Sequence, residues 1–518
     1  MKRVVVSRNR YFDSVFLMQA ASRMAAQAGM RDASALMATP ANKEMLARLG
    51  YVGTPDAQFA AAGPNDLVIA LDGEQAAVDA IAADPASWLR GGSPAGDATA
   101  SAPRSIRQAV AVRPDANVAV ISVPGAYASR EARSALDAGL HAFVFSSNVP
   151  VDDELALKTF ARERGLLMMG PDCGTAYIGG AGVGFANAVR RGPIGIVGSS
   201  GTGLQEFSSL VHRRGSGISH GIGVGSRDLR DEIGGISTFM ALDALEADPR
   251  TGVIVVIAKR PGARTETRLL ERCARSAKPV ILCLFSVDLP HTPSLRIVNT
   301  IDGAVDLALG PSPAPEALRP RAAAAVATMS PRQRHVRGLF AGGTLCYQAQ
   351  VIFGAAGLAV ASNAPAPGMT LLPDPHESAG TTFVDMGAEV FVEGRPHPMI
   401  DSALRRKRLA REAADPCVAL ILLDFVLGAN ASRDPVGDML SAIREAMDAA
   451  RRRGDALCVA ASVCGTDGDA QGLAAQTRAL TDAGVEVFSS AAQAAAFSRD
   501  VALLLAAKGT KGTKGNRP

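Results

Sequence analysis

Short aliphatic runs that end in glycine, serine or threonine and lead straight into a helical stretch recur along this chain, and they narrow its possible folds more than any other feature. Residues 66–71, 117–122, 141–145, 166–169, 194–197, 252–258, 279–284, 338–341, 418–423, 457–462 and 484–488 all read as strands. Most are apolar without alternation, as expected of strands covered on both faces by helices. Repeated strand–helix units of this kind predict parallel sheets, with ligands at the carboxyl ends of the strands. The first segment reads similarly, with a strand over 33–37, a loop over 39–43 and a helix over 44–49.

A chain of 518 residues exceeds a single hydrophobic core. Breaks at Arg190-Arg191-Gly192-Pro193 and in a Pro/Ala-rich stretch divide it. The expected organisation is a first α/β domain over 1–188, a second over 189–315, a linker over 316–331, a third over 332–507 and a disordered tail over 508–518. The second and third share one grammar of strand, Gly/Ser/Thr loop and helix, and read as a quasi-repeat.

Lys and Arg total 54 against 50 Asp and Glu, a surplus too small and too dispersed for a nucleic-acid surface. Arg405, Arg406, Lys407, Arg408 and Arg411 read as a solvated helix face. Seven cysteines, an odd number without metal spacing such as C-x-x-C, argue against a disulfide framework and favour a reducing, cytoplasmic setting. The start, Met1-Lys2-Arg3 and three valines, is too short for a signal peptide, and no apolar run approaches a membrane helix.

The strongest chemical signal is Ser199-Ser200-Gly201-Thr202-Gly203 between a strand and a helix. Glycines let the backbone approach an anion, and the following helix aims free N–H groups and its positive dipole end at it. Gly342-Gly343-Thr344 repeats the device. Neither loop matches a nucleotide fingerprint, and each alone is also compatible with an ordinary capped turn. Two matched loops suit a clamp on one phosphate or carboxylate, formed by the helices starting at Gly203 and Leu345. In Gly394-Arg395-Pro396-His397-Pro398-Met399-Ile400-Asp401, two prolines fix the backbone around His397, a candidate acid or base, while Arg395 suits a carboxylate. A rigid surface loop capped by Asp401 is the plainer alternative. His220 lies in a glycine-rich run and is a further catalytic candidate or a simple packed histidine. Cys283, Cys346, Cys458 and Cys464 read as packing residues.

These residues carry a family resemblance. Residues 117–174, with Ala138-Gly139, Asn148-Val149-Pro150 and Met169-Gly170-Pro171-Asp172-Cys173, resemble the CoA-binding domain of the succinyl-CoA synthetase α subunit. Residues 194–284 are similar to its ligase domain, and the chain from Leu339 onward to a second one. The whole order, including Thr39-Pro40-Ala41-Asn42-Lys43, Cys173-Gly174-Thr175-Ala176, His220 and 394–401, resembles the FdrA family. The resemblance implies an N-terminal Rossmann-like, CoA-binding-type domain followed by two flavodoxin-like, succinyl-CoA-synthetase-type ligase domains. It implies anion binding by Ser199, Ser200, Gly201, Thr202, Gly203, Gly342, Gly343 and Thr344. Substrate binding falls to Asn42, Lys43, Asn148 and Asp172, and catalysis to His397, His220 and Arg395, with no metal.

Three departures limit the transfer. The G-H-A-G-A segment that carries phosphohistidine in succinyl-CoA synthetases is replaced by Pro290-His291-Thr292-Pro293, leaving His291 as the nearest substitute. The N-terminal G-x-x-G-x-x-G loop for CoA is absent, and no nucleotide-binding ATP-grasp domain is evident. CoA stays open as a cofactor. Members resembling FdrA are associated with the oxamate carbamoyltransferase of allantoin breakdown, working with companion subunits. The implied function is therefore a group-transfer subunit binding a small carboxylate and a phosphate-bearing substrate such as carbamoyl phosphate. An acyl-CoA ligase and a non-catalytic binding or regulatory module are the alternatives.

Overall fold

The computed structural model describes residues 1–10, 12, 14–51, 57–89, 103–286, 288–290, 295–312, 317–393 and 395–514. They form two compact units, Met1–Val112 with Glu389–Asp401, and Arg113–Ala388 with Ser402–Pro518.

In the first unit Leu67–Gly73 is the middle strand of three, antiparallel to Lys2–Ser7 on one side and to Met30–Met37 on the other. The two outer strands, joined through helix Ser14–Ala25, run the same way with the third inserted between them, a split βαβ arrangement. Side chains alternate across the middle strand. Leu67, Ile69 and Leu71 pack with Leu17, Met24, Val78 and Ile81, while Val68 and Ala70 pack with Leu46, Tyr51 and Phe59. The expectation of a Rossmann-like domain beginning at residue 1 is thus corrected. Apolar runs separated by helices are common to parallel crossovers and to split antiparallel sheets, and strand Lys2–Ser7 hides between charged residues.

The second unit opens with a small parallel sheet of Val118–Ile121, His141–Val144 and Met168–Met169. A seven-stranded sheet follows in the order Arg296–Val298, Val280–Phe285, Val253–Lys259, Arg191–Gly198, Ile218–Gly223, Thr175–Ile178, Ala181–Gly184. Its last two strands form an antiparallel hairpin on an otherwise parallel sheet. A separate seven-stranded, all-parallel sheet has the order Thr370–Leu371, Ala361–Ser362, Thr382–Asp385, His335–Phe340, Val418–Val426, Cys458–Cys464, Glu486–Phe488. In each large sheet strands later in the chain lie on both sides of one strand, Ile218–Gly223 and Val253–Lys259 beside Arg191–Gly198 in the first, and Thr382–Asp385 and Val418–Val426 beside His335–Phe340 in the second. These are topological switch points, where open α/β sheets leave a crevice at the carboxyl ends.

Three further expectations change. The linker contains helix Leu318–Ala327, whose Ala322 and Val326 are buried as it packs on the last helix. Pro320 falls in its first turn, where a missing N–H costs nothing. The last helix runs from Ala491 to Lys514, so the backbone of 508–514 is helical. The basic run on helix Ala403–Ala414 is not uniformly solvated. Arg405 and Arg408 are buried, Arg408 against Glu412 (2.5 Å), while Arg406, Lys407 and Arg411 are exposed. No helix among the described residues is long and apolar enough to cross a membrane.

The two large sheets are joined by a polar seam. Asn187 Nδ2 donates to Asp469 Oδ2 (2.8 Å) and to the Leu427 carbonyl (2.9 Å). His212 Nε2 meets Asp467 Oδ1 at 2.6 Å. Glu206, on helix Gly201–Arg213, is buried, and its Oε1 accepts from the Ala491 N–H at the start of the last helix (2.8 Å). Ser490 Oγ donates to Asp302 Oδ1 at 2.6 Å, while Asp302 Oδ2 is buried without a hydrogen-bond partner. Burial, with the Asp302 charge nearby, pushes the Glu206 carboxyl up to about 7.

Candidate functional site

Both glycine loops follow the switch strands, and they meet. Ser200 caps helix Gly201–Arg213 by accepting from Gly203 N (3.3 Å), and its hydroxyl is hydrogen-bonded to the Thr344 hydroxyl. Thr344 lies in the first turn of helix Gly343–Gly354, which has no side-chain cap. Its first N–H groups have no intrahelical partner, as at any helix start. The two N-termini therefore share one space at the carboxyl ends of the two sheets, and the loops pack too closely for larger residues. A Cβ on Gly342 would lie 3.1 Å from the Thr202 methyl, and one on Gly343 only 2.5 Å from Asp385 Oδ2.

Charged groups surround this space. Asp424, deep in strand Val418–Val426, accepts from Ala341 N and Gly342 N (both 2.7 Å) and from Arg405 (3.2 Å), so it anchors the second loop. Burial raises the Asp424 carboxyl and lowers the Arg405 guanidinium, each outweighing the attraction between them. Asp385 ends strand Thr382–Asp385, with its backbone clamped by Asn363 through two 2.9 Å hydrogen bonds and its Oδ1 accepting from Gly387 N (3.0 Å). Burial pushes Asp385 up to about 6, the Asp424 and Asp172 charges adding to the rise and Lys259 opposing it. Lys259, at the end of strand Val253–Lys259, places its ammonium 4.7 Å from the centre of the Tyr347 ring. Asp172 accepts from Ser226 Oγ (2.8 Å) and is raised by burial. The following residues abut the first loop, with Thr175 Oγ1 3.0 Å from where a Gly201 Cβ would stand.

The structure thus brings Ser200, Gly201, Thr202, Gly203, Gly342, Gly343 and Thr344 together, with Ser199 bonded from its N–H to the Ile257 carbonyl (3.0 Å) and Asp172 nearby. The other sequence candidates have the following surroundings. His220 pairs in register with Gly195, three residues before the strand's carboxyl end, and faces Asp248 (3.8 Å) and the Gly179 N–H (3.2 Å). Burial lowers its pKa. Asn148 adopts a left-handed turn (φ 60°) beside Gly125. Asn42, Lys43, Arg395 and His397 belong to the first unit. There Asn42 Nδ2 donates to the Met37 carbonyl, Lys43 Nζ to those of Ala60 and Ala62, and Met399 N to His397 Nδ1 (3.2 Å), while the Arg395 charge reaches Tyr51. These contacts hold the local fold. Gly394 and His291 lie outside the described residues. Burial pushes the Cys346 thiol far up, overriding its place in a first helical turn. Asp385, Asp424 and Lys259 were not candidates from sequence, although charged residues at or near the carboxyl ends of buried parallel strands are the signal that marks them.

Comparison with known proteins places these parts in families. The CoA-ligase family matches residues 339–501, and the family described as AllF, heavy metal-associated domain, matches residues 1–104. YahF of Escherichia coli is 40% identical over 509 residues, covering 96% of this chain and 98% of that protein. The α subunit 2 of the ADP-forming succinate–CoA ligase of Archaeoglobus fulgidus is 31% identical over 181 residues, 34% of this chain and 61% of that subunit. Among solved structures, the dinucleotide-forming acetyl-coenzyme A synthetase 1 of Ca. Korarchaeum cryptofilum, in complex with phosphate and ADP, matches at 16% identity and TM-score 0.30, over 78% of this chain and 85% of that one. The first domain lacks the thiolate and imidazole ligands that most often hold heavy metals. Residues 1–104 contain neither cysteine nor histidine, and the described residues hold no group of three or more His, Cys, Asp or Glu placed to bind a metal. The chain belongs to the family of YahF, with an AllF-type N-terminal domain and a C-terminal CoA-ligase domain.

Proposed function

We propose that this chain is an FdrA-type subunit of a group-transfer enzyme, binding a phosphate-bearing donor and a small carboxylate where the two loops meet. The reaction that suits it best is carbamoyl transfer of the oxamate carbamoyltransferase kind, in allantoin breakdown, in the cytoplasm and with companion subunits. The observation that carries this reading is the Ser200–Thr344 hydroxyl contact, which puts two helix N-termini on one space. Carbamoyl phosphate is a mixed anhydride. Its transfer needs a cradle for the leaving phosphate and a place for the acceptor, and needs neither phosphohistidine nor nucleotide. The absent G-H-A-G-A segment and the absent CoA glycine loop agree with that chemistry. The AllF-type domain supports the link to allantoin.

An acyl-CoA ligase is the second reading, favoured by the CoA-ligase match and by the succinate–CoA ligase relative. The test is to offer the purified chain carbamoyl phosphate with oxamate, and separately ATP, CoA and succinate, each with and without the proteins encoded beside it. Phosphate release dependent on oxamate, reduced at least tenfold by Ser200→Ala with Thr344→Val, supports carbamoyl transfer. ADP and succinyl-CoA formation, with acid-labile label on His291, would replace it by the ligase reading.

A further inference from the structure

We infer that Asp385 is the proton acceptor of the two-loop anion site, with Lys259 as the cation that offsets its charge; this rests on the reading above. Transfer of a carbamoyl group to an amide nitrogen creates a proton that must leave that nitrogen as the new N–C bond forms. The group that takes it has to stand at the junction of the two helices, keep an oxygen uncommitted, and regain its proton-free form afterwards.

Asp385 meets these conditions by geometry. Its backbone is fixed by Asn363, and its carboxyl is held through Oδ1 by Gly387 N. Oδ1 is engaged by Gly387 N, whereas Oδ2 is directed at Gly343, the first residue of the uncapped helix. Asp424 cannot serve, since the Ala341 and Gly342 N–H groups and Arg405 occupy its oxygens. Four groups face Asp385 electrostatically from the surrounding elements. They are Lys259 from the first sheet, Asp424 from the neighbouring strand, Asp172 from the loop before Thr175–Ile178, and Cys346 from the helix. Lys259 is the cation among them, and no hydrogen bond or ion pair holds its ammonium among the described residues. A carboxylic acid raised to about 6 has the basicity a neutral-pH acceptor needs.

The step balances without any further reagent. The acceptor nitrogen's lone pair attacks the carbonyl carbon of carbamoyl phosphate, and the carbon–oxygen bond to phosphate breaks with its electron pair going to the phosphate oxygen. The N–H proton passes to Asp385 Oδ2 and then to the departing phosphate, which leaves as hydrogen phosphate and restores the carboxylate. Lys259 and the two helix N-termini stabilise the charge that gathers on the leaving oxygen.

Sulfate, a dianion that does not titrate near neutrality, is the probe. Calorimetric titration of the full chain with sulfate at pH 5 and pH 8 should show wild-type affinity falling roughly tenfold as Asp385 ionises, the size of the repulsion between a carboxylate and a dianion a few ångströms away in a watery dielectric. Asp385→Asn should bind sulfate equally at both pH values and lose carbamoyl transfer, so that binding improves at pH 8 while turnover disappears. Lys259→Gln should weaken binding at both pH values and keep the pH step. A step that persists in Asp385→Asn overturns this inference alone. Sulfate binding that is absent, or indifferent to Ser200→Ala with Thr344→Val, overturns the anion-site reading beneath it.

Discussion

Replacing Glu206 by glutamine should make the second unit more stable at pH 8 and leave it almost unchanged at pH 5. Glu206 sits where helix Gly201–Arg213 meets the start of the last helix, with Oε1 accepting from Ala491 N at 2.8 Å. Glutamine keeps that acceptor and presents a neutral amide where the carboxylic acid stood. The folded carboxyl titrates near 7 against an ordinary 4.5, a rise of about 2.5 units, and each unit is worth about 1.4 kcal/mol. Because the folded value is raised, the folded state holds a proton that the unfolded chain has lost between these two values. Stability is fully present below 4.5 and declines until the folded carboxyl has ionised, by a total on the order of 3 kcal/mol. Glutamine removes that decline. It also relieves Asp302, whose own carboxyl is raised by burial and faces the same helix start through Ser490. Urea unfolding of both proteins at pH 5, 6, 7 and 8, followed by far-UV ellipticity, measures the gap. Trp88, the sole tryptophan, lies in the first unit, and its fluorescence should give the same transition in both proteins at each pH. A gap that does not widen between pH 5 and pH 8, or a glutamine variant that is weaker at pH 8, would refute the reasoning.

Asp424→Ala strands the Arg405 guanidinium and two backbone N–H groups, and should cost about 3–5 kcal/mol with faster hydrogen exchange at Ala341 and Gly342; unchanged exchange there contradicts the anchoring role. Gly343→Ala normally gains ~0.4–1 kcal/mol by restricting the unfolded chain, but its Cβ would stand 2.5 Å from Asp385 Oδ2, so stability should fall and sulfate binding weaken; a gain in urea resistance sinks the close-packing argument. Zinc, copper or cadmium at micromolar concentration should leave Trp88 emission unchanged, and a saturable change that persists in His397→Ala would show that the first unit holds metal without thiolate or imidazole.

The sequence was most readable where burial is most complete. Strands Val253–Lys259, Val280–Phe285 and Val418–Val426 are covered on both faces, so their aliphatic runs stand out without any need to know their partners. Strand Lys2–Ser7 was missed because it is short and flanked by charge, and with it went the antiparallel character of the first sheet, which only pairing reveals. The hairpin Thr175–Ile178 and Ala181–Gly184 also escaped, although Gly179 and Gly180, both at positive φ, are the residues a tight hairpin turn selects. At the site, the two glycine loops were legible because backbone access to an anion leaves a compositional trace. Their meeting through Ser200 and Thr344 was an expectation drawn from repetition, and its geometry required the structure. Asp385 was invisible because the strand carrying it is four residues long, and Lys259 because it is the last residue of a strand whose apolar run ends one residue earlier. Arg405 and Arg408 looked solvated because a dense basic run gives no hint that Glu412, one turn along the same helix, and Asp424, in the next strand, pair with them on the buried face.

The first unit is completed by Glu389–Asp401, a segment whose Phe391, Met399 and Ile400 are buried. On the ribosome its two pieces appear far apart in time. At ~5–20 residues per second, the intervening residues 113–388 take roughly 14–55 s to make. Of the two units, the one whose synthesis starts earlier therefore waits with its completing strip unmade while most of the second unit is synthesised. Maturation of the N-terminal domain is thereby tied to successful translation well into the C-terminal sheet, so a chain that stalls before residue 389 carries an incomplete first unit however long it is given to fold.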